Sequence, residues 1–99
     1  MEKEIVVTKR FRAQTKHNYE YLLRDFSARV AFQFLEKVEE RIELIARHPE
    51  IGRPSMQGHN VRFIPLIPYY HVFYRVRKSR IEILVIFDLR QDPKRRPYH

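Results

Sequence analysis

The chain contains no cysteine, no tryptophan and only two glycines in 99 residues. Without cysteine there is no disulfide framework, no thiolate metal site and no cysteine nucleophile, which fits a reducing compartment. Glycine at 52 and 58 alone makes no glycine-rich phosphate loop. There is also no GxSxG, so hydrolysis by a standard triad has no support. Long apolar runs are missing too. The opening "MEKEIVVTKRF" holds three consecutive apolar residues between charges, too few for a signal peptide or a membrane span. The expectation is a cytoplasmic protein without membrane contact. Five histidines, at 17, 48, 59, 71 and 99, include no pair three or four apart and have no carboxylate cluster beside them. Neither a metal site nor a cofactor is expected.

Acidic residues are scarce in one half only. Residues 1–50 hold ten Lys/Arg against nine Asp/Glu, whereas residues 51–99 hold ten against three, so the formal net charge of +8 is nearly all in the second half. A basic half-domain attracts polyanions: nucleic acid, the ribosome or an acidic protein. The plainer alternative is a soluble protein that happens to be basic.

A chain of this length forms one domain, 1–99, with a modest core. "EIVVTKRF" (4–11) is rich in β-branched residues and reads as a first strand. Residues 12–26 then place Phe11, Thr15, Tyr19, Leu22 and Phe26 on one face of a helix. Ser27 suits the N-cap of a second helix. There Ala28, Ala31, Leu35, Val38, Ile42 and Ile45 step by three and four, and Pro49 ends the run. Two one-sided helices with almost no linker form an antiparallel hairpin. "HPEIGRPSMQGHN" (48–60) reads as the one real loop. Three strands follow, at 61–67, 69–76 and 81–89. Pro65 places the first at an edge or on a bulge, and the run Ile83–Phe87, apolar on both faces, marks the last as flanked on both sides. The fold class is α+β, in the order β-α-α-β-β-β. Helix 2 is expected to bury Ala31, Leu35, Val38, Ile42 and Ile45 against Tyr70, Val72, Tyr74, Ile83 and Val85.

Arginines on or just beyond strands are less ordinary: Arg62, Arg75, Arg77 and Arg90. Alternation puts His71, Phe73, Arg75 and Arg77 on one side of their strand. If helices cover the other face, this one is open, lined with Tyr69, His71 and Arg75. Guanidinium groups beside aromatics bind phosphates and stack on bases. Long charged side chains also simply cover apolar surface. RNA cleavage would need a base, phosphate-binding cations and an acid. His71 or Glu82, then Arg62 with Arg90, then Tyr98 or His99 supply such a set, but spacing alone does not establish catalysis.

"ARHPEIGRP" after the second helix, "YYHVFYRV" in the third strand and "FDLRQDP" at the end of the last strand resemble, in that order and spacing, the RelE/ParE toxin superfamily. The resemblance spans roughly residues 5–94. It implies a helical hairpin on a twisted antiparallel sheet. It also implies a toxin of a type II toxin–antitoxin system of the plasmid-stabilisation kind, held in a hetero-oligomer by a small antitoxin with an acidic or amphipathic C-terminal segment. Two branches differ in target. RelE-like members cut messenger RNA on the ribosome, and ParE-like members poison DNA gyrase. Against the nuclease pattern Arg62 and Arg90 match, Ile64 replaces a second cation, His71 stands in an arginine slot and Tyr98 is displaced. "RQDP" and "HPEIGRP" look more ParE-like, so the resemblance favours gyrase, with an mRNA endoribonuclease as the alternative and a non-toxic basic binding module as a third reading. Arg62, Arg75, Arg77, Arg90, Lys94, Arg95 and Arg96 are the expected surface for target or antitoxin. Phe32, Phe34 and Leu44, off the main helix stripe, are further antitoxin contacts or a widening of the core face, the latter above all for Phe34.

Overall fold

The computed structural model describes residues 3–56 and 58–90. Two helices lie on one face of a five-stranded sheet of order β1-β5-β4-β3-β2. Strand β1 (Glu4–Val7) is followed by α1 (Lys9–Asp25) and α2 (Ala28–Arg47), then by β2 (Arg53–Pro54), β3 (Val61–Leu66), β4 (Tyr70–Val76) and β5 (Arg80–Asp88). The sheet is mixed, not wholly antiparallel: β1 runs parallel to β5, with Glu4 opposite Arg80 and Val7 opposite Ile83. The hairpin connection α1–α2 carries the chain out and back, so it returns for the remaining strands.

The first strand is shorter than its β-branched sequence suggests, because Thr8 stops it. Its Oγ1 accepts from the Phe11 N–H at 3.0 Å, capping α1. The same hydroxyl donates to the Leu84 carbonyl at 2.8 Å, and the Thr8 N–H donates to Ile83. Strand β5 extends beyond the end of β1, and its next backbone donor, the Ile86 N–H, is met by Gln14 Oε1 from α1 at 3.0 Å. Side chains of the cap and helix thus finish an edge that β1 leaves bare. Ser27 caps α2 by accepting from the Val30 N–H. Arg47 is the last helical residue, two before Pro49.

The expected loop contains β2, whose Arg53 and Pro54 pair with Phe63 and Arg62. Pro65 lies past this pairing, on an otherwise uncovered edge of β3. The bulge is elsewhere. Phe73 pairs with Val85 but Tyr74 pairs with Ile83, leaving Leu84 as the extra residue of β5. That insertion reverses the side-chain parity of the strand. Ile81, Ile83 and Ile86 therefore join the helix-side core, while Val85 and Phe87 point to the opposite face. Val85, expected against helix 2, is on the other side for this reason.

Helix α2 buries Ala31, Phe34, Val38 and Ile45. Leu35 and Ile42 are only half-buried at the margin of this core, and Phe34 is an integral part of it, its ring 5.3 Å from that of Tyr70. The far face is not open as expected: Val61, Phe73 and Val85 are buried there too. No described helix is long and apolar enough to cross a membrane.

Candidate functional site

The segment after α2 is held by one buried hydroxyl. Tyr74, wholly buried on the helix side of the sheet, donates from Oη to the Pro49 carbonyl at 2.7 Å and accepts from the Gly52 N–H at 2.8 Å. Burial raises the pKa of this phenol above its ordinary value, against the lowering effects of the Gly52 N–H and Arg62, so it stays a neutral donor. Glycine is required at 52 by close approach. A Cβ there would lie 2.5 Å from Tyr74 Oη, 2.8 Å from its Cε1 and 2.9 Å from the Phe63 carbonyl oxygen. Arg62 completes the clamp from β3, its guanidinium donating to the Gly52 and Glu50 carbonyls at 2.7 and 3.2 Å.

Parity decides where the other predicted residues fall. Along β3, Ile64 and Leu66 face the helices, whereas Val61 and Phe63 belong to the opposite face. Arg62 therefore leaves the sheet on the helix side. His71 stacks on Phe63, centroids 4.8 Å apart, with Phe73 alongside, and so lies on the other side. Arg75 shares that side by alternation and donates to the His59 carbonyl. Tyr69 is not on this face. It sits in the β3–β4 turn, packed against the helix-side core.

Arg90 forms a distinct centre. Its guanidinium lies 3.7 Å from the centroid of the Tyr69 ring and is paired with Asp88, Nη2 to Oδ2 at 2.7 Å and Nε to both carboxylate oxygens. Burial alone would raise the Asp88 carboxyl; hydrogen bonds from the Arg90 side chain and backbone outweigh it and hold it low. Hydrogen bonding to Asp88 in turn raises the pKa of Arg90. The Tyr70 hydroxyl beside them is pushed up, first by burial and then by Tyr69.

Three of the clefts lined by described residues bear on this framework. One, about 590 Å³, is lined by Lys3, Glu50, Arg62, Arg77 and Lys78 among others. The second, about 370 Å³, is an apolar groove between the hairpin tip and the β3–β4 turn, with Phe26, Val30, Ile67 and Tyr69 in its walls and Lys37 and Arg90 as cations. The third, about 410 Å³, runs along Phe11, Tyr19 and Leu35 beside Val7. Thus Arg62 and Arg77 share a cleft, Arg90 lines a different one and also a recess of about 410 Å³ with His17, Asn18, Tyr21 and Asp88, and His71 lines none of these. Glu82 is tied to Arg77 and Arg80 at 3.0 and 3.1 Å. Of the residues off the helix stripe, Phe32 is exposed, Leu44 is half-buried and Phe34 is buried. Lys94, Arg95, Arg96, Tyr98 and His99 lie outside the described residues. Among the described residues no group of three or more histidines or carboxylates is placed to hold a metal.

Sequence reasoning did not single out Lys3, Lys78 or the hydroxyl of Tyr74, and it used Gly52 only as part of the "HPEIGRP" resemblance. The signal for the last two was an isolated glycine after a helix-ending proline, which marks a close backbone approach. Nothing in the linear sequence joins Lys3 to residues 77 and 78.

A two-helix hairpin on one face of a mixed five-stranded sheet, with a pinned loop after α2 and a basic β4–β5 turn, defines a two-layer α+β fold. The solved structures agree. The chromosomal ParDE toxin–antitoxin system from P. aeruginosa superposes with a TM-score of 0.78 at 20% identity, over 88% of this chain and 96% of that one. The YoeB/ParE toxin from Agrobacterium tumefaciens gives 0.59 at 20% identity over 86% and 96%. YafQ from E. coli strain BL21(DE3) gives 0.57 at 10% over 87% and 92%. No curated protein sequence matches the chain significantly. The family model described as ParE toxin of type II toxin–antitoxin system, parDE, matches residues 5–93. The chain belongs to this family, within the RelE/ParE superfamily, and its family implies a cognate antitoxin.

Proposed function

We propose that this toxin acts by binding DNA gyrase and arresting replication, without cutting RNA, and that an antitoxin neutralises it in the cytoplasm. One observation carries this reading: among the described residues, the would-be nuclease residues do not converge. Arg62 leaves the sheet on the helix side, with its guanidinium on two loop carbonyls. His71 stacks on Phe63 on the opposite face. Arg90 is engaged by Asp88 and Tyr69 at a third place. In-line attack by a ribose hydroxyl needs base, cation and acid around one phosphorus, within hydrogen-bond reach of the reacting oxygens. The described residues hold their candidates apart, which favours a binding toxin over an endoribonuclease.

Purified toxin added to gyrase and relaxed plasmid tests this directly. Loss of supercoiling with accumulation of linear, protein-linked DNA is expected, and induced cells should filament with damaged DNA. Codon-sited messenger cuts on ribosomes, with supercoiling intact, would establish the nuclease reading instead. Harmless expression in the absence of antitoxin would leave the basic binding module.

A further inference from the structure

We infer that the cleft between the loop after α2 and the β4–β5 turn is a binding site for the phosphate backbone of a double-stranded nucleic acid. Among the described residues its walls bring together Lys3, Arg62, Arg77 and Lys78 against a single lining carboxylate, Glu50. These cations come from three separate parts of the chain. Parallel pairing of β1 with β5 sets Lys3 beside the turn, where its Nζ donates to the Arg77 carbonyl at 2.6 Å and the next residue's N–H reaches Ser79. Arg62 is fixed by the loop carbonyls, so one wall is rigid. Arg77 is held by Glu82, but Glu82 also serves Arg80, so one carboxylate is shared between two guanidinium groups and the turn keeps an excess of positive charge.

The chemistry of the lining selects among polyanions. Among the described residues, no phenylalanine, tyrosine or histidine lines this cleft. Grooves for single strands combine cations with aromatic platforms on which unstacked bases lie. A basic cleft without such platforms reads the backbone, whose bases remain paired and stacked. An amphipathic antitoxin segment needs apolar surface, which the other two grooves supply. The division is then physical: apolar grooves along the helices for a protein partner, and a polar cleft at the far sheet end for phosphates. This inference is independent of the gyrase reading, because its test contains neither gyrase nor ribosome.

The test is fluorescence anisotropy of the full-length toxin, freed from antitoxin, with a labelled duplex DNA, a duplex RNA and a single strand, over a range of salt concentrations. The compared variants are Lys3→Gln/Arg77→Gln/Lys78→Gln and a control that removes equal charge at exposed positions outside all three clefts, Lys9→Gln/Arg10→Gln/Arg29→Gln. Each backbone contact contributes a slope of about −0.9 in log K against log salt. The cleft variant should therefore lose about 2.7 of slope and at least about tenfold in duplex affinity at low salt. The control should change little, and Lys78→Gln alone, the change least able to disturb folding, should lose about one unit of slope. Comparing the duplexes distinguishes DNA from RNA as the source of the backbone. Equal losses in cleft and control variants, an unchanged slope, or tighter binding of the single strand would each overturn the proposal. So would a cleft variant that loses antitoxin affinity while keeping its duplex slope, which would assign the cleft to the protein partner.

Discussion

Tyr74→Phe removes one oxygen and nothing else, so its effect on the loop after α2 can be worked from the contacts. The ring stays packed, wholly buried on the helix side. Two hydrogen bonds are lost, to the Pro49 carbonyl and from the Gly52 N–H. Each intramolecular hydrogen bond has a net worth of about 1 kcal/mol, and a buried donor left without a partner costs about 1–3 kcal/mol. Gly52 is buried whereas Pro49 is half-buried. The N–H therefore sets the larger part of the loss, and the carbonyl can turn to water. The sum is about 2 kcal/mol, which lowers the melting temperature of a domain this size by roughly 8–16 °C. Thermal and urea denaturation followed by circular dichroism measure it. Arg62→Met removes the second anchor on the same loop. The double variant should fall short of additivity by about 0.5 kcal/mol or more, since once one anchor is lost the other restrains less. Gly52→Ala should be worse than Tyr74→Phe, and combining the two should not rescue it, because Tyr74 Cε1 and the Phe63 carbonyl still obstruct the new methyl group. A Tyr74→Phe protein melting within about 3 °C of the wild type would refute the reasoning, since that is less than 1 kcal/mol.

Ile45→Ala, at a fully buried position, should cost about 2–5 kcal/mol, and Leu35→Ala clearly less because Leu35 is only half-buried; urea titrations rank them. The Glu82 and Asp88 carboxyls are both held below their ordinary values by arginine hydrogen bonds that outweigh the effect of burial. Their stabilisation is present above the unfolded carboxyl values, about pH 4, and is lost as pH falls through the lowered folded values. The Glu82→Gln/Asp88→Asn protein should therefore show a shallower acid limb in its stability profile. Neutralising Arg90, Lys94, Arg95 and Arg96 together should weaken target and antitoxin binding and reduce its salt dependence, with Arg90 contributing most; an antitoxin titration at two salt concentrations checks this.

Much of the architecture was written locally. The helix from Ala28 to Arg47, the Ser27 cap and the stop before Pro49 each depend on neighbours within a few positions and appear as read, although Ala28 is exposed and Phe34 takes the core place expected of Leu35. Alternation in β4 likewise set Tyr70, Val72 and Tyr74 toward the helices. Charge asymmetry between the halves is a property of composition and needed no fold. What local pattern did not contain was pairing. The bulge at Leu84 exists only between two strands, and it moved Val85 to the far face. The end of β1 at Thr8 was set by carbonyls of Ile83 and Leu84, far along the chain. The same holds for the functional surface. Arg62 and His71 look like partners in a linear pattern, yet pairing across the sheet places them on opposite faces. Lys3 and Lys78 look unrelated, yet a parallel strand brings them to one cleft. Sequence by itself determined the two helices and the three long strands, because those preferences act over a few bonds, whereas β2 and the end of β1 needed partners far along the chain. Which cations share a surface was decided only by tertiary structure, because register and strand order are set by long-range hydrogen bonds.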